Sequence, residues 1–169
     1  MKTLIVYFSR SGQNYVCGEI KNLAVGNTRV VAELIQAVTG APMFALEPAA
    51  PYSADYSACI EEAKQDQRRD ARPELKAYPE NLESYDTIYL GYPNYWGTMP
   101  MAVFTFLERF DFTGKTIRPF CTHEGSGLGH SEADIRRLCP GARVTKGLAV
   151  QGVKVQAAEA AVRAWLEER

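Results

Sequence analysis

DTIYLGYPNYWG, residues 86–97, is the stretch on which the fold turns. Thr87, Ile88, Tyr89 and Leu90 form a short apolar run of good strand formers with no polar alternation, the pattern of a strand buried on both faces, as in a parallel sheet. The run stops at Gly91. A loop follows that carries Tyr92, Tyr95 and Trp96 between Pro93 and Gly97. Aromatic residues on a loop at the carboxyl end of a parallel strand lie where open α/β sheets bind ligands. Large flat side chains in that place suit a flat ligand.

Working outward, the same alternation recurs. Residues 2–8 (KTLIVYF) form a first strand ending at Ser9, and a Gly- and Asn-containing connection runs from Ser9 to Asn27. Val30, Val31, Leu34, Ile35 and Val38 then fall on one helical stripe, with Gly40 where a helix C-terminus expects it. Residues 42–47 read as a weaker strand, and Asp55 as the N-cap of a helix to about Arg69. The charged tail of that helix, Glu61 to Arg72, reads as a solvated face. Beyond the 86–92 strand, Thr98 and Pro100 open a helix, Thr116 to Cys121 form a strand, and Ser131 suits the start of another helix. Residues 143–149 make the last strand, and Val155, Ala158, Val162, Trp165 and Leu166 the stripe of a closing helix. Five strands alternating with five helices predict an α/β fold, a doubly wound three-layer sandwich around a five-stranded parallel sheet in order 2-1-3-4-5. Residues 1–169 read as one domain, with an extended loop at about 12–25.

Composition narrows the function classes. A net charge of −1 offers nothing to a nucleic acid. No apolar run approaches the roughly 20 residues needed to span a bilayer, which predicts no membrane insertion. The first strand begins straight after Met1-Lys2, so no secretory leader is expected and the location is cytoplasmic by default. Cys17, Cys59, Cys121 and Cys139 lie far apart, without metal-site spacing, and read as unpaired thiols. Cys17 stands out because it falls in the long first loop.

In the predicted order, the loops leaving strands 1, 3 and 4 converge on one edge. The first begins YFSRSGQN and ends VGNTRVVAEL; without Gly12 to Val25 it is a hydroxyl- and Gly-rich turn feeding a helix N-terminus. Such a turn offers backbone N–H groups and hydroxyls to a phosphate, aided by the helix dipole. It matches neither G-x-x-x-x-G-K-[ST] nor G-x-G-x-x-G, so neither nucleotide hydrolysis nor a Rossmann dinucleotide site is indicated. The second loop, Tyr92 to Gly97, supplies flat apolar surface. The third, Thr122 to Gly127, is rich in backbone donors with little bulk and suits the polar edge of a ring. His123 could stabilise negative charge or protonate a substrate there, and a surface or helix-capping role is an equal alternative. His123, Glu124 and His130 do not have metal-ligand spacing, and no metal is expected.

On YFSRSG…GNT, LGYPNYWGTMP and FCTHEGSGLG, spread along the β/α alternation, the chain resembles the flavodoxin-like family. The resemblance covers essentially the whole sequence and implies non-covalent binding of flavin mononucleotide (FMN). It places Ser9, Ser11, Asn27 and Thr28 at the phosphate, Pro93, Asn94, Tyr95, Trp96 and Gly97 at the isoalloxazine, and Thr122, His123, Glu124, Gly125, Ser126 and Gly127 at its pyrimidine side. Two departures accompany it. The 12–25 excursion splits the usual phosphate turn, and the third loop lacks a stacking aromatic. The implied function is electron transfer with redox partner proteins. The alternative is a small NAD(P)H-dependent FMN reductase acting on a quinone or similar acceptor, and a third reading is a cofactor-free binding scaffold.

Overall fold

The computed structural model describes residues 1–168. At the centre of its main sheet, β1 (Thr3–Tyr7) and β5 (Thr87–Pro93) run parallel, in register from Thr3 opposite Thr87 to Tyr7 opposite Gly91. β4 (Met43–Ala45) flanks β1, and β6 (Thr116–His123) flanks β5. Two short strands, β7 (Arg143–Val144) and β8 (Leu148–Gln151), both pair in parallel with β6 and complete the edge. The order is the expected 2-1-3-4-5, with the last strand in two pieces rather than the single run 143–149. A contact with a helix accompanies the break. The Gly147 N–H turns out of the ladder to the Glu132 Oε2 of α4 (Ser131–Leu138), 2.9 Å away.

Strand periodicity divides the core. Leu4, Val6, Ile88 and Leu90 point to one side, where they meet Phe104, Phe106 and Leu107 of α3 (Met101–Arg109) and Ile135 of α4. Ile5, Tyr7 and Phe120 point to the other, against Val31 and Ile35 of α1 (Asn27–Thr39) and Val162 and Trp165 of α5 (Glu159–Glu167). The apolar stripes of α1 and α5 face the sheet, which gives each of these helices one buried face.

Several local readings change on packing. α2 (Tyr56–Arg68) is capped as expected, the Asp55 carboxylate accepting the Ala58 N–H at 2.9 Å. Its charged tail is not wholly solvated: Asp66 is buried, accepts the Tyr52 hydroxyl at 2.6 Å and pairs with Arg69 at 2.7 Å. α4 starts at Ser131, as expected, with Glu132 and Asp134 in its first turn. His130 holds the cap position, and the buried Ser131 hydroxyl donates to Leu128 O (2.6 Å) while accepting from the Tyr92 hydroxyl (2.8 Å). The closing helix begins only at Glu159, after a 3-10 segment over Gly152–Ala157. The long first loop is not irregular: it contains an antiparallel hairpin, β2 (Gly12–Val16) and β3 (Glu19–Leu23). No helix among the described residues is long and apolar enough to cross a membrane.

Candidate functional site

A cavity of about 290 Å³ opens at the carboxyl ends of β1, β5 and β6, beside the N-terminus of α1. α1 begins at Gly26, which has no side chain to cap it; the Ser9 hydroxyl does this instead, accepting the Arg29 N–H at 3.1 Å. A Cβ at position 26 would collide with Ser9 Oγ and the Arg10 carbonyl, so glycine alone lets the loop close onto the helix. The Asn27 and Thr28 N–H groups belong to the first turn and have no acceptor within the helix. Thr28 is buried, its hydroxyl 2.8 Å from that of Thr122, which locks the start of α1 to the end of β6.

The loop after β5 is held by its own backbone and by Asn94. The Asn94 N–H donates to Thr122 O (2.8 Å), its side-chain amide donates to Gly127 O (2.8 Å), and its Oδ1 accepts the Gly97 N–H (2.9 Å). One residue thereby joins the second loop to the third. Trp96 (φ 54°) and Gly97 (φ 88°) are both left-handed, and Tyr95 and Thr98 pair across them in a two-residue turn. A left-handed tryptophan is uncommon and is sustained here by side-chain anchors. Its Nε1–H donates to Ile60 O at 2.9 Å, and Lys64 Nζ lies 5.2 Å from the ring centroid. The ring is 48% exposed at the cavity rim. Tyr95 packs edge-on against Phe8, at 5.9 Å between centroids. Behind the turn, Gly97 O accepts the His130 N–H (2.8 Å), and Asp134 accepts from the Thr98 hydroxyl (2.5 Å) and contacts His130 Nδ1 (2.9 Å).

In the third loop, His123 Nδ1 accepts the Gly125 N–H at 2.9 Å, which leaves the proton of the neutral ring on Nε2. Burial lowers the His123 pKa below its ordinary value, with Glu124 opposing the shift. With Nδ1 occupied, the neutral imidazole presents Nε2–H as a hydrogen-bond donor. Glu124 Oε2 accepts the N–H of Cys17, in the turn of the hairpin. The Cys59 thiol, in the cavity wall, is pushed up by burial although Arg10 pulls it down. A protonated thiol is a poor nucleophile.

Of the residues singled out from the sequence, Asn27, Thr28, Pro93, Asn94, Tyr95 and Trp96 line the cavity. Thr122, His123, Glu124 and Ser126 line it too. Ser9, Ser11, Gly97, Gly125 and Gly127 are not in its wall; Ser9 caps α1, Gly97 and Gly127 accept or donate bonds within the loops, and Ser11 is exposed. Arg10, Asn14, Tyr15, Tyr56, Cys59, Ile60 and Ala63, which are not among the residues expected from the sequence, complete the wall. Tyr15 had a signal: Tyr15-Val-Cys-Gly-Glu-Ile20 is a pair of short strand segments around an X-Gly turn, and Cys17 (φ 53°) and Gly18 (φ 84°) adopt that turn. The α2 residues carried none, because no local pattern tells which helix face meets a distant loop.

The sequence matches the flavodoxin family model over residues 2–169. No curated protein compared with the chain matches it. Among solved structures, a protein from Bacteroides eggerthii provisionally described as a flavoprotein is 29% identical, with 98% of this chain and 96% of that one covered and a TM-score of 0.78. A similarly described protein from Bacteroides uniformis is 28% identical, covers 99% and 98%, and has a TM-score of 0.75. A Lactobacillus acidophilus flavoprotein in complex with FMN shares the fold at 20% identity, with 92% and 97% covered and a TM-score of 0.64.

Proposed function

The chain belongs to the flavodoxin family, and from that premise we propose that it binds FMN without a covalent link and carries electrons between protein partners, with residues 1–169 acting as one domain. The observation that carries this reading is the convergence of three loops, after β1, β5 and β6, on one cavity with a polar end and a flat aromatic end. The residues present fit the group. The free N–H groups of Asn27 and Thr28, with the helix dipole behind them, suit a phosphate, each favourable contact adding about 0.3–1 kcal/mol at an exposed site. Pro93, Tyr95 and Trp96 supply apolar surface for a ring system, and an aromatic contact adds about 0.5–1.5 kcal/mol beyond the area it buries. Bound there, FMN would supply the redox chemistry, while the chain supplies binding, orientation and electrostatics.

The chain's own groups have distinct tasks in this reading. His123 donates from Nε2 to the polar edge of the ring and carries no charge. Asn94 holds the second and third loops at a constant spacing. Trp96, half exposed, keeps the rim accessible to a docking partner. With a net charge of −1, that docking depends little on long-range steering.

The test is the visible absorption spectrum of the purified protein, before and after addition of FMN and desalting. Flavin bands that stay with the protein are the expected result. A colourless protein that loses added FMN on desalting overturns the reading and leaves a cofactor-free scaffold.

A further inference from the structure

Resting on the reading that the cavity holds FMN, we propose that the β2–β3 hairpin limits the cavity to one planar ring system and bars a dihydronicotinamide from stacking on it, so that the protein exchanges electrons with protein partners at the Trp96 rim.

The hairpin is fastened to both walls of the cavity. On the α2 side, Gln13 Oε1 accepts the Tyr56 N–H at 2.7 Å, and the Tyr15 and Tyr56 rings stack at 6.0 Å and 16°. On the opposite side, Glu124 of the loop after β6 accepts the Cys17 N–H at 3.1 Å. At the base, Arg10 donates from Nε to Gln13 O (2.9 Å) and from Nη2 to Ala54 O (3.0 Å), and the Asn14 amide donates to Arg10 O (2.9 Å). A segment tied at α2 and at the β6 loop crosses the space between them, and its Asn14 and Tyr15 form part of the cavity wall.

Stacking by a second ring has a strict geometric requirement. Reaction between two rings needs the reacting atoms about 3–3.5 Å apart with the faces overlapped. At about 290 Å³, the cavity lies at the bottom of the usual range for a single small ligand, about 300–1,000 Å³. Asn14 and Tyr15 of the hairpin and His123 and Glu124 of the loop after β6 line this space, so a second ring layer stacked there would need the place that one of these pairs holds. A protein partner has no such need, since Trp96 already reaches solvent at the rim.

The experiment uses the full chain loaded with FMN and desalted; failure to retain FMN at this step removes the flavin reading itself and this proposal with it. The loaded protein is mixed anaerobically with NADH or NADPH while flavin absorbance is followed. It is separately titrated with a redox-inert tetrahydronicotinamide dinucleotide, with the long-wavelength charge-transfer band between stacked rings as readout. The parent protein is expected to bleach slowly and show no band. A variant joining Ser11 directly to Gly26, and the full-length double variant Tyr15→Ala, Glu124→Ala, which serves if the deletion does not fold, are expected to bleach about tenfold faster or more and to gain the band. A parent protein that bleaches as fast as the variants, or that shows the band, overturns the proposal. So do folded variants that remain as slow as the parent.

Discussion

At the scale of single residues, the site is built from groups whose hydrogen-bonding capacity is already assigned. Asn94 uses its N–H, its amide and its carbonyl oxygen on three different partners, which makes it a brace between loops more than a ring contact. Gly97 takes a φ of 88° that side-chain-bearing residues rarely adopt, and next to it Trp96 is also left-handed, its indole held by Ile60 O and covered by Lys64. His123 carries a consequence for pH. Burial lowers its folded pKa below the ordinary value of 6.5, so between the two values the unfolded chain binds more proton than the folded one. Its neutral form thus favours the fold fully above 6.5, and that contribution is lost as pH falls through the lowered folded value. Melting temperatures of the ligand-free protein recorded across about pH 5 to 8 are expected to drop on the acid side, and the drop is expected to shrink in His123→Gln. An identical acid slope in the variant would place its origin elsewhere.

At the scale of elements, the termini of the helices decide where the site sits. α1 points its N-terminus at the cavity because Ser9, from the preceding loop, caps it across Gly26. The opposite device closes α5. Arg118, in mid-strand on β6, donates to the carbonyls of Trp165 (2.6 Å), Leu166 (3.3 Å) and Glu168 (3.0 Å), and its guanidinium lies 4.8 Å from the Trp165 ring centroid. Last-turn carbonyls have no N–H donor within a helix, and a cation there also meets the favourable end of the dipole. Replacing Arg118 with Met keeps the apolar stem and removes those bonds. It is expected to cost about 2–3 kcal/mol in urea unfolding, as charge-assisted hydrogen bonds do. A cost below about 0.5 kcal/mol would show that α5 is held by Val162 and Trp165 packing alone.

At the scale of the whole molecule, two apolar layers clamp the sheet and leave the ligand crevice at its carboxyl edge, between β1 and β5, where the strand order reverses. Because the crevice is assembled from segments far apart in the chain, a ligand bound there stabilises the native state and not the unfolded one. Adding FMN to the ligand-free protein is expected to raise its melting temperature in a concentration-dependent way, reaching about 2.7 kcal/mol of added stability at a hundredfold excess over Kd. An unchanged melting curve at high FMN would contradict the flavin reading independently of colour.

Some of this was legible in the amino-acid order, because strand and helix periodicity and turn chemistry are local. The β1, β5 and β6 strands, the stripe of α1 with its Gly40 end, the Asp55 cap and the parallel order all rest on such patterns. So does the placing of Asn27, Thr28, Trp96 and His123 at element ends and loops that meet at one edge. Other features rest on contacts between distant segments, which no local pattern encodes. The break between β7 and β8 depends on Glu132, the burial of Asp66 on Tyr52, and the neutral state of His123 on the surrounding loops. The hairpin's position depends on Tyr56 and Glu124, which lie 43 and 107 positions from the residues they hold. The sequence alone determined the main β/α alternation and, with it, the parallel strand order 2-1-3-4-5, since backbone geometry and side-chain periodicity act over a few residues. Only the tertiary structure decided which side chains close the cavity and in what charge state, because burial and hydrogen-bond partners exist only once the chain has packed.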